Sequence, residues 1–164
     1  MESGTSSRIT FRVGPAVTKI SPNEPIGWKM LGAALVQMGR LDDSLAPMEL
    51  AARLAPNDAE AHNNLGAVQL QLGQVTEAVV SHEKAIALQP SNAVSYCSLG
   101  NAFRAQGQHQ AAEENFKKSI SLDPNYAKAY HNLACGFKIW AALSRQRTFI
   151  PRLLNWHLKM PLPF

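Results

Sequence analysis

The sequence is poor in the residues that build metal sites, disulfide frameworks and membrane spans. Only two cysteines, Cys97 and Cys135, occur in 164 residues, and neither has metal-ligand spacing with another Cys or His. We therefore expect both thiols to be reduced, as in a cytoplasmic protein. No apolar run reaches the length of a membrane span or of a secretory signal. The sequence predicts neither a membrane partner nor secretion.

Acidic residues are absent from the C-terminal part of the chain. Residues 138–164 carry five Lys and Arg and no Asp or Glu, and residues 1–21 carry three against one. Residues 22–137 carry 8 Lys and Arg against 11 Asp and Glu. The net charge of +4 therefore comes from the two ends of the chain. Because a nucleic-acid-binding fold concentrates basic residues on one face, we expect no nucleic-acid partner.

Sets of residues that carry out catalysis or hold a cofactor are also missing. The sequence has no recognisable Ser/His/Asp set, glycine-rich phosphate loop or pair of carboxylates. Among its histidines, His62, His82, His109 and His131 have no second His or carboxylate at ligand spacing. We expect these histidines to be structural or solvent-exposed, and we expect no metal, no cofactor and no enzymatic activity.

What the sequence does contain is a repeat of 34 residues. A proline ends each incoming helix, because it moves its predecessor out of the α region. Four prolines stand at this interval: Pro22, Pro56, Pro90 and Pro124. Residues suited to cap the next helix follow them: Asn23, Asn57, Ser91 and Asn125. Three glycines at the same spacing predict a left-handed end to the first helix of each pair: Gly39, Gly73 and Gly107.

These boundaries predict three helix pairs and the start of a fourth. The pairs cover residues 24–38 with 41–54, 58–72 with 75–88, and 92–106 with 109–122, and a seventh helix begins near Tyr126. Pro47 is predicted to kink the second helix. The predicted division is a poorly ordered leader at 1–21, an array at 22–143 and an irregular basic tail at 144–164. The repeats of the array are 22–55, 56–89, 90–123 and a partial one at 124–143.

Apolar and small residues recur at fixed places inside the predicted helices. A leucine and a small residue follow one another in the first helix of each pair: Leu31-Gly32, Leu65-Gly66, Leu99-Gly100 and Leu133-Ala134. A glycine within a helix costs about 1 kcal/mol relative to alanine, so its repeated use indicates close approach of the second helix. Small residues lie at the matching level there: Ser44, Ala78 and Ala112. Rings are expected to fill the gaps between pairs: Trp28, Tyr96, Phe103, Phe116, Tyr130 and Phe137.

This combination of residues resembles the tetratricopeptide repeat, from residue 22 to about residue 137. The resemblance implies an all-α, right-handed superhelix (a solenoid) of antiparallel helix pairs, in which the first helices line a concave groove. It also implies a non-catalytic scaffold that binds a protein or an extended peptide segment in that groove.

The segment Ala61–Gly66 is similar to bacterial arrays that precede glycosyltransferase, sulfotransferase or methyltransferase domains, including those like O-linked N-acetylglucosamine transferase. An alternative function is therefore a substrate-recruiting fragment of a glycosyltransferase-like enzyme. Its catalytic domain would be missing from this chain, because the residues after Phe137 are too few for one.

Polar residues at groove positions are the candidate ligand contacts. They are Lys29, Asn63, Asn64, Asn101, His131 and Asn132. An amide can donate to and accept from a peptide backbone, although a solvated helix face is the alternative interpretation. Lys29 and Asn64 also match two of the five residues with which tetratricopeptide co-chaperones grip a C-terminal carboxylate. The other three places are Ala33, Val94 and Ser98, which supply no charge or amide, so we expect no such clamp.

The tail departs from the repeat pattern after Lys138. Read one base out of frame, the codons of Trp140-Ala141 encode a glycine at the place of Gly107, and those of Asn155-Trp156 encode a leucine at the place of Leu122. We interpret the tail as a frameshifted fourth repeat. The seventh helix would then lack its partner, and the uncapped C-terminal end would allow self-association.

Overall fold

The computed structural model describes residues 9–13, 16–20 and 23–135. Its helices are α1 (Pro25–Gln37), α2 (Leu41–Leu54), α3 (Ala59–Gln71), α4 (Val75–Leu88), α5 (Ala93–Ala105) and α6 (His109–Leu122). Residues 127–135 are also helical, and we refer to them as helix 127–135. Each helix packs on the next, most extensively within the pairs α1–α2, α3–α4 and α5–α6. The predicted all-α solenoid of helix pairs is confirmed.

The leader contains a β-hairpin, so the prediction of a poorly ordered segment at 1–21 is wrong for the residues described. Strands β1 (Ile9–Val13) and β2 (Ala16–Ile20) pair antiparallel, with Ile9 opposite Ile20 and Val13 opposite Ala16. The physical reason is their content of Ile, Val, Thr and Phe, which favours extended backbone. The strand β1 lies against α1.

The helix caps lie one residue later than the sequence predicts. The side chain of Asp58 accepts hydrogen bonds from the backbone N–H of Glu60 and Ala61, at 2.9 and 3.2 Å. Asn92 does the same at the start of α5. These bonds satisfy amide groups that have no partner within the helix. The residue directly after each proline therefore belongs to the turn rather than to the cap.

The glycine turns follow the prediction. Gly39, Gly73 and Gly107 have φ angles of 72°, 78° and 76°, in the left-handed region. After α1, the N–H of Gly39 donates to the carbonyl of Val36 at 3.0 Å, and that of Arg40 donates to Leu35 at 2.9 Å. The same pair of bonds ends α3 and α5. Each turn thereby satisfies the last carbonyls of a first helix and reverses the chain.

The glycines inside the first helices make room for one large side chain of the second helix. A Cβ atom added at Gly66 would lie 2.8 Å from the ring of His82, and one added at Gly100 would lie 2.6 Å from the ring of Phe116. At Gly32 the neighbour is Met48. The small residues expected at this contact are buried nearby: Ser44, Ala78 and Ala112. The closest packing therefore pairs a glycine with a methionine, histidine or phenylalanine.

The core runs along the array between successive pairs. Leu31, Leu65 and Leu99 are buried, and so is Trp28. Tyr130 is instead 48% exposed, so the prediction that its ring fills a gap is wrong. The reason is that other side chains fill this part of the array: Phe116, Ala129, Tyr126 and Leu133.

Several sequence predictions concern residues 136–164, which lie outside the described residues. They are the remainder of the fourth repeat to residue 143, the ring of Phe137, the basic tail at 144–164 and the uncapped end. These stay predictions, as does the kink at Pro47. That proline is buried inside α2, which runs without interruption from Leu41 to Leu54.

Candidate functional site

The first helices of the pairs form the inner side of the array. Helix α1 approaches α3, and α3 approaches α5, whereas consecutive second helices among those described make no comparable approach. Helices that lie closer together occupy the inner side of a curved stack. The candidate binding surface is therefore carried by α1, α3 and α5.

One stripe of each first helix faces away from the core on this inner side. Residues three or four apart share a helix face, which defines the stripe in each repeat. We call this set the inner stripe: Ile26, Met30, Ala33 and Gln37 on α1; Glu60, Asn64, Ala67 and Gln71 on α3; Val94, Ser98, Asn101 and Ala105 on α5. Every one of these side chains is exposed or half-buried.

The inner stripe changes in character along the array. On α1 it begins with an exposed apolar pair, Ile26 at 66% and Met30 at 67% exposure. On α3 and α5 it carries half-buried amide and hydroxyl groups, at Asn64, Ser98 and Asn101. An exposed apolar pair beside a row of short polar groups offers side-chain contacts and backbone hydrogen bonds to the same ligand.

Lys29 lies beside the inner stripe, but its charge is already paired. Its Nζ atom lies 3.1 Å from Asp58 and 2.7 Å from Glu60, which joins α1 to the start of α3. The hydrogen bond to Glu60 raises the pKa of Lys29, burial opposes this, and Asp58 adds to the increase. Burial raises the pKa of Asp58, but the bonds from Lys29 and from the backbone outweigh it and leave this pKa below its ordinary value. The charge of Lys29 is therefore neutralised by carboxylates of the same chain.

Asn63 was predicted to contact a ligand, and in the structure its side chain contacts His82. Its Oδ1 atom lies 3.1 Å from Nδ1 of His82, which belongs to α4. The amide is therefore turned toward the second helix of its own repeat, and Asn64 is the residue of this pair on the inner stripe. That Asn63 contacts a ligand stays a prediction, and its Oδ1 atom is already engaged by the ring of His82.

His82 is the most unusual titratable group of the array. The residue is fully buried, and its Nε2 atom has no hydrogen-bond partner among the described residues. Burial lowers the pKa of His82 from 6.5 to about 4. The ring is therefore neutral at physiological pH, and it fills the place that Met48 and Phe116 fill in the neighbouring repeats.

Asn101 keeps its place on the inner stripe and also fixes a residue that the sequence analysis did not select. Arg104 donates from Nη2 to Oδ1 of Asn101 at 2.9 Å, and its guanidinium carbon lies 5.8 Å from the centre of the Phe116 ring. Both contacts hold the guanidinium in one position. The sequence could have indicated this contact, because residues three apart on one helix, such as Asn101 and Arg104, lie on the same face.

Asn132 is buried, so the prediction that it lines an open groove is wrong. It is 7% exposed, and its Nδ2 atom donates to Sγ of Cys97 at 3.4 Å. Cys97 is shorter than Lys29 and Asn63, which hold the equivalent places, and the Asn132 amide lies against it. His131 is exposed, with its Nε2 atom 3.6 Å from Sγ of Cys135.

Replacing the two predicted amides separately should therefore give different results. Asn64→Ala is expected to change the free energy of unfolding by less than about 0.5 kcal/mol, because the side chain is half-exposed. Asn132→Ala is expected to lower it by about 1 kcal/mol, because a buried amide and its contact with Cys97 are lost. Urea titrations followed by far-ultraviolet circular dichroism measure both. Equal effects would contradict the assignment of Asn64 to the surface and Asn132 to the core.

The described residues hold no group of three or more His, Cys, Asp or Glu that could bind a metal ion. Within the same residues, no helix combines the length and the apolar character needed to cross a bilayer. The chemistry of the inner stripe is that of hydrogen bonds, apolar contacts and charge.

Comparison with known proteins agrees with this architecture. Residues 57–125 match the family model of the tetratricopeptide repeat (TPR). None of the curated proteins matches the sequence significantly.

Three solved structures illustrate the likeness of fold. MamA from Desulfovibrio magneticus RS-1, from residue 41 to its end, is 23% identical, with a TM-score of 0.67 over 85% of this chain and 79% of that one. The first TPR domain of Spaghetti (RPAP3), bound to the HSP90 peptide SRMEEVD, is 19% identical, with a TM-score of 0.68 over 73% and 95%. The second TPR domain of human RPAP3, in complex with the HSP70 peptide SGPTIEEVD, is 20% identical, with a TM-score of 0.65 over 68% and 93%.

The spacing of the turn glycines, the glycine-to-large-side-chain contacts and the family match lead to one assignment. Residues 57–125 match tetratricopeptide repeats, and α1 and α2 continue the same arrangement of helix pairs.

Proposed function

We propose that this chain is a non-catalytic scaffold that binds a protein through an extended peptide segment lying along the inner stripe. The observation that carries the proposal is the exposed apolar pair Ile26 and Met30, continued by Asn64, Ser98 and Asn101 on the next two first helices. Because Ile26 and Met30 are one helical turn apart, they form a contiguous exposed apolar surface, and this supports a ligand contact there.

The polar part of the stripe supports an extended ligand in particular. An extended peptide presents N–H and C=O groups along its length, and amide and hydroxyl side chains can bond both kinds of group. Such contacts hold a backbone without selecting its side chains, whereas Ile26 and Met30 would select an apolar one. The RPAP3 domains, which share the fold, are described in complex with HSP90 and HSP70 peptides, and this supports a peptide as the ligand.

Two further features support this proposal. The polar groups of the inner stripe comprise no nucleophile held by a base and no pair of carboxylates, which favours binding over catalysis. Both cysteines are free, and Cys97 is buried, which supports a reducing, cytoplasmic compartment.

Selection from a displayed library of random peptides tests the proposal, with Met30→Arg as the decisive variant. Met30 is exposed on the inner stripe, so an arginine there should fold normally and should obstruct the groove. We expect peptides captured by the wild-type protein to bind the variant at least about tenfold more weakly, a difference of 1.4 kcal/mol. Fluorescence anisotropy on the purified peptides measures this difference.

Val80→Arg is the matched control. Val80 lies on the second helix α4 and is 61% exposed, close to the exposure of Met30, so the same substitution places the same charge on the outer side. Selected peptides should bind Val80→Arg as they bind the wild type. Equal weakening by both variants, or by neither, would rule out the inner stripe as the binding surface.

A further inference from the structure

The methionines of the described residues differ widely in exposure. Met30 on α1 is 67% exposed, Met38 directly after that helix is 46% exposed, and Met48 on α2 is 3% exposed. The side chain of Met48 fills the space beside Gly32, where an added Cβ atom would lie 2.8 Å from it. Because oxidation of a thioether requires access to its sulfur atom, Met30 is the most open of these side chains to an oxidant in solution.

Met30 holds a place that is polar in the next two repeats. One and two periods of 34 residues later, the same place on the first helix is held by Asn64 and Ser98. The thioether of a methionine is only a weak hydrogen-bond acceptor, whereas amide and hydroxyl groups accept and donate. Addition of one oxygen atom to the sulfur of Met30 would therefore make this place polar in all three repeats.

We propose that Met30 is an oxidation site that controls peptide binding on the inner stripe. The inference rests on the proposed function and adds a regulation of the same surface. A peroxide converts the thioether into a sulfoxide, which is a polar group. The exposed apolar pair is then reduced to Ile26 alone, so a peptide whose apolar side chain packs against this pair binds more weakly.

The reaction needs no protein group other than the thioether. A lone pair of the sulfur atom attacks one oxygen of hydrogen peroxide, an S–O bond forms, and the O–O bond breaks. The sulfur atom is oxidised by two electrons, and the second oxygen takes both hydrogen atoms and leaves as water. Methionine sulfoxide reductases, of which one kind acts on each sulfoxide epimer, reverse the change. The modification is therefore reversible, as a switch requires.

Oxidation at Met30 is expected to leave the fold intact. Its side chain is exposed, and it belongs to none of the buried apolar clusters formed by residues 23–135. Changes at exposed positions usually have little effect on stability. A sulfoxide at Met48 would instead place a polar oxygen in the close contact with Gly32, but burial protects that sulfur atom. A loss of affinity after mild oxidation therefore reports on the surface.

Mild treatment of the full chain with hydrogen peroxide tests the proposal. Peptide mapping by mass spectrometry should show Met30 oxidised before Met48, with an unchanged circular dichroism spectrum. The probe is a fluorescent peptide that the untreated protein captured from the random library. Its affinity should fall at least about tenfold once Met30 is oxidised. Unchanged affinity with Met30 oxidised, or oxidation of Met48 before Met30, would overturn the proposal.

Oxidation of the cysteines is removed as a cause by a reducing step. Hydrogen peroxide also reacts with thiols, and the chain carries Cys97 and Cys135 as free cysteines. Dithiothreitol added after the peroxide reverses sulfenic acids and disulfides and leaves methionine sulfoxide in place. The loss of affinity should persist through this step and should disappear after incubation with both kinds of methionine sulfoxide reductase. Recovery with dithiothreitol alone would overturn the proposal.

Two leucine variants assign the effect to one residue. Leucine is apolar, has a similar volume and carries no sulfur atom. In each variant the affinity after peroxide treatment is compared with the affinity before it. Met30→Leu should show no loss, whereas Met38→Leu, the matched control beside the same helix, should lose affinity as the wild type does. An equal loss in Met30→Leu would show that another residue is responsible.

A bound peptide should also protect Met30 from the oxidant. A saturating concentration of the captured peptide covers the inner stripe and should slow oxidation of Met30. Met38 lies outside the inner stripe, so its rate of oxidation should stay the same and serves as the reference within the molecule. Equal slowing at both residues, or at neither, counts against the site.

The outcomes separate this inference from the proposed function. If captured peptides depend on Met30 by the Met30→Arg test but bind equally well after its oxidation, the scaffold function stands and the switch does not. If no peptide is captured, the proposed function is contradicted, and this inference fails with it.

Discussion

Replacing Leu99 by alanine is expected to lower the free energy of unfolding by about 2–5 kcal/mol. Leu99 is 6% exposed and packs with Val79 and Ala102, between α4 and α5, with Phe103 beside them. The substitution removes buried methyl groups at the contact between the second and third repeats. Because the stability of an array is a sum of repeat and neighbour terms, a loss at a central contact weakens both repeats. The expected loss is a large part of the total for so short an array.

Guanidinium titrations followed by far-ultraviolet circular dichroism measure this change. Leu88→Ala is the matched control, since the same atoms are removed from a leucine that is 37% exposed. The control should lower the free energy of unfolding by less than half as much. An unchanged denaturation midpoint for Leu99→Ala would contradict the position of Leu99 in the core.

Acidification should destabilise the array through His82. The pKa of His82 is about 4 in the folded protein, and the ordinary value of 6.5 applies in the unfolded chain, where the ring is not buried. As the pH falls, the unfolded chain therefore takes up the proton first. The stabilisation by the neutral ring is complete above pH 6.5 and is lost as the pH falls through that value toward 4. The difference between the two pKa values corresponds to about 3 kcal/mol.

His82→Phe should remove this dependence on pH. Phe116 fills the equivalent place beside Gly100, so the ring shape has a precedent within the chain, and the unpartnered Nε2 atom disappears. Thermal melts between pH 7 and pH 4 should show a steep decline for the wild type and a shallow one for the variant. His131→Gln, at an exposed histidine, should decline as the wild type does. A steep decline in His82→Phe would show that another group is responsible. Asp58, whose pKa lies below its ordinary value, acts at lower pH.

The helix pairs could be predicted because their boundaries depend on local chemistry. A proline, a capping residue and a glycine such as Gly73 each act on the backbone beside them, and all three recur at the same interval. The one-residue error in the caps has the same origin. Asn57 and Asp58 are both good capping residues, and only the path of the turn selects Asp58.

The contacts between repeats could not be predicted in the same way, because they depend on residues that differ from repeat to repeat. Lys29, Asn63 and Cys97 hold equivalent places, yet they contact Glu60, His82 and Asn132 respectively. The 34-residue period predicts the position of each residue on its helix. It does not predict which side chain of a neighbouring helix that residue contacts. This is why Asn132 was assigned to the surface and Arg104 was overlooked.

The hairpin was missed for a different reason. The strand Ile9–Val13 is rich in residues with high β-propensity, and this signal was available in the sequence. The period of the array favours a helix in this segment, and Pro15 interrupts such a helix. A segment that cannot form a regular helix can still pair as strands.

The contacts between first helices have a mechanical consequence. Consecutive first helices approach one another, while consecutive second helices among those described do not, so the array is tighter along its inner side. A bend that changes the spacing of the second helices would break no backbone hydrogen bond within a helix. A peptide bound across α1, α3 and α5 would link the first helices to one another. We therefore expect the array to resist bending more strongly with such a peptide bound.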